Sequence, residues 1–258
     1  MQVFKRNNFL VVAVLLVLVV PLLLICGVGE TASGTTVLLV RHGQTDWNAL
    51  DLLQGWADVT LNHVGLREVE ELGASWEEKV GLDVDVIYSS PLNRTKQSAE
   101  ILAKHLSINP FEIRFEPDLR EASIGILTGL SGSELVSNPE FFEIYKKWSR
   151  DQDYAQPSGP PVVITDYTKL YLEGQEFPGE SGNAFRDRVL NALERIVSEN
   201  RGKTLLVSTH GGVIAIILCV ITDTPIAEWE GFLPGNASVT HLRFEDDGSV
   251  TWVNAPNR

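Results

Sequence analysis

The chain has 258 residues, 44% of them hydrophobic, with 34 Asp+Glu against 21 Lys+Arg and two cysteines. That length supports one large domain or two small ones. A net charge of −13 excludes a broad basic face of the kind that neutralises a nucleic-acid backbone, and two cysteines exclude a disulfide scaffold or a cysteine-rich zinc site.

The first segment is unlike the rest. Residues 1–29 hold 21 hydrophobic residues and two charges, Lys5 and Arg6. Residues 9–26 form 18 consecutive positions without a charge, and as a helix they span roughly 27 Å, about the hydrocarbon thickness of a bilayer. No face of the segment is polar, which argues against a core helix. Two readings of 1–29 remain: an uncleaved membrane anchor, or a signal peptide removed at the small residues Gly27-Val28-Gly29, for which the apolar stretch is long. Lipid attachment at Cys26 is disfavoured by Ile25 before it. In both readings Lys5 and Arg6 stay in the cytoplasm. The expectation is a protein anchored in the membrane through residues 9–26 with its folded domain outside the cytoplasm; the alternative is a secreted or periplasmic domain. Cys219 then has no assured partner, and the domain folds without disulfides.

After a polar linker at 30–35, strands and helices alternate through 36–258. Strands are predicted over 36–40, 84–88, 112–115, 204–208, 239–244 and 250–253, and helices near 62–76, 92–106, 139–148, 184–198 and 212–221. In the 184–198 helix Phe185, Val189, Leu193, Ile196 and Val197 share one stripe, with Arg186, Arg188, Glu194 and Arg195 off it. The 212–221 helix is apolar all round but too short to span a bilayer, so it is predicted to be buried. This alternation predicts an α/β fold: a three-layer sandwich with a mainly parallel central sheet flanked by helices, following an N-terminal hydrophobic helix.

In such sheets ligands bind beyond the carboxyl ends of the strands. Three ends carry ionisable groups: VLLV followed by RHGQTDWN, DVIYSSPLNRT, and TLLVSTHGG. If those strands are neighbours, Arg41, His42, Arg94 and His210 converge. Two arginines and two histidines in one pocket require an anion, and a phosphoryl group suits guanidinium geometry. Gly43 lets the chain approach such a ligand closely, and Gly211-Gly212 opens a helix whose free N–H groups favour an anion.

The ordered motifs VRHGQTDWN, LQGWADVTLNHVG, SSPLNRTKQSAEIL, LREASIG, PGESGNAFRDRV and STHGG resemble the histidine phosphatase superfamily, in its phosphoglycerate mutase-like branch. The resemblance covers about 37–250 and marks 36–258 as the catalytic domain. It implies that His42 attacks phosphorus and becomes phosphohistidine, that Arg41 and Arg94 bind the phosphate beside His210, and that Glu121 protonates the leaving oxygen. It further implies that Asn48 contacts phosphate and that Gln44, Thr45, Asp46, Trp47 and the loop through Trp56 form the substrate rim. Gly43 and Gly211 complete the binding set. No metal and no cofactor are implied.

The physical logic agrees with those roles. Imidazole attacks only when neutral, and neighbouring guanidinium groups disfavour its protonated form. Charge on the transferring phosphoryl group is clamped by Arg41, Arg94 and a cationic His210. A bound phosphate dianion raises the pKa of a neighbouring carboxyl, which lets Glu121 hold the proton. The bland readings are a loop histidine for His42, a helix-capping histidine for His210, a surface arginine for Arg94 and a loop carboxylate paired with Arg120 for Glu121. His63, His105 and His241 have no metal-ligand spacing. A P-loop-like GETASGTT at 29–36 lacks the lysine and precedes a strand, so it is read as linker. The sequon at Asn93 adjoins the proposed pocket and is expected to be unused; Asn236 heads a second one.

The expected activity is hydrolysis of phosphate monoesters by a histidine acid-type phosphatase acting on a small phosphorylated substrate. The resembling mutases carry a basic residue after the glutamate and a downstream arginine pair. Here Ala122-Ser123 follows Glu121, and 131–180 offers only Lys146-Lys147. That departure disfavours phosphoglycerate mutase chemistry, and the joint presence of His42, Glu121 and His210 disfavours a non-catalytic phospho-ligand-binding module. Specificity is assigned to a lid-like insertion at 131–180, which holds eight aromatic residues; most of them are expected to pack a small subdomain.

Overall fold

The computed structural model describes residues 34–254. The anchor or signal reading of 1–29 and most of the 30–35 linker lie outside the described residues. Thr35, assigned to the linker, already pairs with Phe244 in the first strand.

Six strands form one sheet: β1 (Thr35–Arg41), β2 (Val86–Ser89), β3 (Arg114–Phe115), β4 (Thr204–Thr209), β5 (Val239–Phe244) and β6 (Val250–Trp252), in the spatial order β3-β2-β4-β1-β5-β6. β3, β2, β4 and β1 run parallel; β5 pairs antiparallel with β1, and β6 antiparallel with β5. β3 is shorter than predicted because Pro110–Glu112 forms a 3-10 turn capped by the Asn109 side chain.

Nine helices accompany the sheet among the described residues: α1 (Asp46–Ala49), α2 (His63–Ala74), α3 (Trp76–Lys79), α4 (Asn93–His105), α5 (Gly132–Ser137), α6 (Pro139–Arg150), α7 (Lys169–Leu172), α8 (Gly182–Glu199) and α9 (Gly211–Ile221). The period-two alternation of the strands separates two cores. Val37, Leu39, Leu205 and Val207 pack against α8 and α9, while Leu38, Val40, Ile87 and Leu206 pack against α2 and α4. This is the expected three-layer arrangement. The single helix predicted near 62–76 is two, broken at Ser75. In α9 every residue from Gly211 to Cys219 is buried, as its all-round apolar sequence requires. Among the described residues no single helix is long and apolar enough to cross a membrane.

The 131–180 segment is mostly irregular. Four of its rings sit in small clusters, Tyr171 and Phe177 against Trp47, and Phe141 and Tyr145 around Leu127, Leu130 and Leu135, while Trp148 and Tyr154 join the core under α8 and α9. Two glycines permit close backbone contacts here, Gly125 between the body and the segment and Gly179 within the segment. A Cβ on Gly125, whose φ is +52°, would lie 2.0 Å from Pro157 O, and one on Gly179 would lie 1.5 Å from Gln156 O. Ile126 N–H also donates to Pro157 O at 3.0 Å.

Candidate active site

Register brings the three chemical strand ends together. Arg41, the last residue of β1, pairs with Thr209, the last of β4, and Ser89, the last of β2, pairs with Ser208. His42, Ser90 and His210 therefore each stand one residue beyond neighbouring strands. The backbone keeps that registry, with His42 N–H on Thr209 O and Ser90 N–H on Ser208 O, both at 3.0 Å.

His42 is 3% exposed. Its Nδ1 lies 2.8 Å from Gly43 O, and because a carbonyl oxygen only accepts, the ring proton sits on Nδ1 and the lone pair on Nε2. Burial, with the positive charges of Arg94 and Arg41, holds its pKa well below the ordinary 6.5. His42 is thus neutral at physiological pH. A clamp from 234–237 fixes it: Arg41 donates to Pro234 O, and Asn236 Nδ2 donates to His42 O at 3.0 Å.

His210 departs from the cationic state expected of it. It is fully buried, and desolvation together with Arg94, His42, Arg188 and Arg41 pushes its pKa well below 6.5. The ring meets His42 edge-on, with centroids 5.4 Å apart. Its Nε2 shares a 2.8 Å hydrogen bond with Ser90 Oγ, while Nδ1 is buried without a partner. The residue occupies the N-cap position of α9, but its side chain makes no cap bond.

Arg94, in the first turn of α4, is 1% exposed, and its terminal nitrogens donate to Ala57 O and Gly55 O at 2.8 Å. Burial lowers its pKa to about 10, so it remains charged. The Nε atoms of Arg94 and Arg41 are both buried without partners. Two guanidinium N–H groups left unpaired on residues that line one cavity, with an unpaired imidazole nitrogen of His210 behind them, make a site that an anion completes.

Glu121 is pinned by both oxygens: Oε1 accepts from Ala122 N at 2.8 Å and Oε2 from Gly212 N at 3.0 Å. The helix N–H expected to serve a ligand is therefore occupied by Glu121. Gly212 is required for this, since a Cβ there would fall 2.2 Å from Glu121 Oε1, and Gly211 gives room to the Arg41 guanidinium. Behind Glu121, Arg188 pairs with Glu180 through two bonds of 2.6 and 2.9 Å and donates to the carbonyls of Asp118, Arg120 and Glu121. Trp56 Nε1 donates to Glu121 O at 2.7 Å.

These groups face a cavity of about 170 Å³. Of the expected residues, Arg41, His42, Asn48, Arg94 and Glu121 line it, and His210 stands behind His42. The others serve the fold. A Cβ on Gly43 would lie 2.4 Å from Gly65 O, so the close approach at Gly43 is to the backbone of α2 and not to a ligand. Gln44 bonds Asn62 and Glu68, Thr45 caps α1, and Trp47 is wholly buried against Ala57 and Leu172. Asp46 is exposed and meets the Tyr167 hydroxyl. Asn48 gives its Oδ1 to Thr45 and Asn236, which leaves its amide nitrogen for the cavity.

Sequence reasoning missed Gln156 and Trp229, which also line the cavity, and treated Asn236 only as a sequon; Gln54, in the loop through Trp56 that the resemblance placed on the substrate rim, lines the cavity as well. An isolated glutamine has no motif or period to mark it. Among the 131–180 rings, Tyr145 and Trp148 reach the cavity; Trp148 meets Trp229 edge-on at 5.9 Å. Thr95 of the Asn93 sequon is structural, buried and bonded to Ser90 O. No group of three or more His, Cys, Asp or Glu among the described residues is placed to hold a metal ion.

A family model described as the histidine phosphatase superfamily (branch 1) matches residues 37–255. A metal-independent phosphoserine phosphatase of Arabidopsis thaliana is 32% identical over 212 residues, 81% of this chain and 77% of that protein. A 2,3-bisphosphoglycerate-dependent phosphoglycerate mutase of Nitrobacter hamburgensis is 26% identical over 190 residues, 72% and 80% of the two chains. The fold is shared with a phosphoserine phosphatase from Entamoeba histolytica crystallised with 3-phosphoglyceric acid: TM-score 0.65 at 22% identity, over 85% of this chain and 95% of the other.

Proposed function

The chain belongs to the histidine phosphatase superfamily, and from that premise we propose that it is a metal-independent phosphatase that hydrolyses small phosphate monoesters through a phosphohistidine on His42. The observation that carries this reading is a buried, neutral His42 whose Nε2 lone pair is free, set beside two arginines with unpartnered Nε groups.

In the first step His42 Nε2 attacks phosphorus as the bond to the ester oxygen breaks, and Glu121 gives the departing alkoxide its proton. Arg41, Arg94 and the Asn48 amide hold the phosphoryl oxygens while charge spreads over them. The incoming dianion opposes the desolvation that keeps His210 neutral, so His210 gains a proton and joins the clamp when substrate binds. In the second step water attacks phosphorus, the N–P bond breaks, Glu121 accepts a proton from the water, and phosphate leaves.

Hydrolysis is favoured over mutase transfer by the cations. Lys146 lies over the Phe142 ring and Lys147 over the Tyr154 ring, and neither lines the cavity, whose arginines are Arg41 and Arg94 alone. A carboxylated substrate held for return of its phosphoryl group lacks a partner there. Turnover of 4-nitrophenyl phosphate in the presence of a chelator, lost in His42→Ala, is the expected result; activity that survives His42→Ala or vanishes with chelator rejects the proposal. Interconversion of phosphoglycerates faster than their hydrolysis establishes the mutase instead.

The same reading puts the domain outside the cytoplasm, supported by the apolar 9–26 stretch after Lys5 and Arg6. N-terminal sequencing of the native protein distinguishes an intact anchor from a chain beginning after Gly29. A full-length chain recovered from the cytoplasm in soluble form rejects both.

A further inference from the structure

One wall of the cavity carries polar atoms that the chemistry at phosphorus does not use. Gln156 is 2% exposed, yet neither Oε1 nor Nε2 of its amide has a hydrogen-bond partner. Gln54 Oε1 and Trp229 Nε1 are buried and unpartnered in the same way, and all three residues line the cavity with Arg41, His42 and Arg94. Buried polar atoms are almost always paired. Three such residues turned to one space mark a place where another molecule completes the bonding.

Their positions are fixed. The Gln156 backbone lies against Gly179 at a distance only glycine allows, and the neighbouring Pro157 carbonyl accepts from Ile126. Trp229 is held by its edge contact with Trp148, and Tyr145 ties α6 to the same stretch by donating to Glu230. The remaining lining on this side is apolar: Leu53, Ile124 and Leu127.

We propose that Gln54, Gln156 and Trp229 form the subsite for the organic part of the substrate, and that this part is an uncharged polyol or sugar, with no carboxylate. The proposal rests on the phosphatase reading for the chemistry at phosphorus. An amide and an indole present both donors and acceptors without charge, and a hydroxyl group, which donates and accepts, satisfies either. A carboxylate only accepts; it takes the N–H groups of Gln156 and Trp229 but leaves the buried oxygens of Gln54 and Gln156 unpaired, with no lining cation beyond the arginines already committed to phosphate. The cavity of about 170 Å³ holds about six water-sized groups. It encloses the phosphoryl group and a few carbons, and a longer sugar reaches solvent.

The test compares kcat/KM for glycerol 3-phosphate, glucose 6-phosphate, phosphoserine, 3-phosphoglycerate and 4-nitrophenyl phosphate on the wild type, Gln156→Leu and Trp229→Phe. The polyol and sugar esters are expected to exceed both carboxylated esters by roughly tenfold or more. Gln156→Leu is expected to lower polyol turnover by roughly tenfold, the loss of one hydrogen bond, and to lower it by several times more than it lowers aryl phosphate turnover. Because the unpartnered amide is removed, the thermal midpoint of Gln156→Leu is expected to match or exceed that of the wild type. Preference for a carboxylated ester, or an equal fall on every substrate, overturns the proposal; Trp229→Phe decides it if Gln156→Leu does not fold. Calorimetric binding of glycerol 3-phosphate against 3-phosphoglycerate to the wild type scores the subsite even if no ester is turned over, a result that would reject only the phosphatase reading.

Discussion

The two walls of the cavity are built on opposite plans. One stands on strand ends and is charged: Arg41, His42 and Arg94, with His210 behind them and Glu121 pinned onto α9. The other comes from loops and the 3-10 helix Ile226–Phe232 and is neutral: Gln54, Gln156 and Trp229 among apolar side chains. Register between strands, with the first turn of α4, positions the first wall, as reaction at phosphorus demands. Glycine contacts and ring packing hold the second, which need only match a shape and a few hydroxyl groups. The contrast implies that changes to the charged wall act on every ester alike, whereas changes to the neutral wall sort one ester from another.

The strongest test of that division is His42→Ala, expected to reduce kcat for all esters by roughly four orders of magnitude or more with the fold retained, as single-turnover assays and circular dichroism would check. Next in size is Arg188→Ala. It leaves Glu180 unpaired at a partly buried site and frees the Glu121 loop, and is expected to cost about 3 kcal/mol in denaturant unfolding and to lower kcat without altering substrate preference.

Acidification probes the charged wall through its histidines. His42 and His210 bind protons more weakly folded than unfolded because burial desolvates both rings and Arg94 and Arg41 lie near them, with Arg188 near His210 as well. Their contribution to stability is complete above about pH 6.5 and is lost as pH falls toward their folded pKa values. The expected slope is about 1.4 kcal/mol per pH unit for each histidine, and His210→Asn halves it in urea titrations below pH 6. Gly212→Ala pushes on Glu121 and is expected to lower kcat by roughly tenfold to a hundredfold with KM little changed. The smallest effect belongs to the neutral wall: Tyr145→Phe removes the hydroxyl bonded to Glu230 and is expected to change aryl phosphate turnover by less than about threefold. A fall as large as that of Gly212→Ala would dissolve the distinction between the walls.

The same division governs what is legible in the sequence. β1, β2 and β4, the stripe of α8 and the apolar α9 follow from period and composition, because those report which face is buried. The ionisable groups at three strand ends are visible as residue types in motifs. Gly43 is easily misassigned because a close approach to Gly65 and one to a ligand impose the same demand on a side chain. Arg188 and Glu180 lie in a recognised motif that gives them no role, since their partner Glu121 is 67 residues from Arg188. Gln156 and Trp229 carry no signal at all.

By itself the sequence determined the alternation of strands and helices and the chemical groups that follow β1, β2 and β4. Only the tertiary structure decided that these strands are neighbours in the order β2-β4-β1, that His42 carries its proton on Nδ1, and that His210 is neutral. The reason is physical: hydrophobic period is a local property of the chain, whereas desolvation, tautomer and the pairing of buried polar atoms depend on groups that only folding brings within a few ångströms.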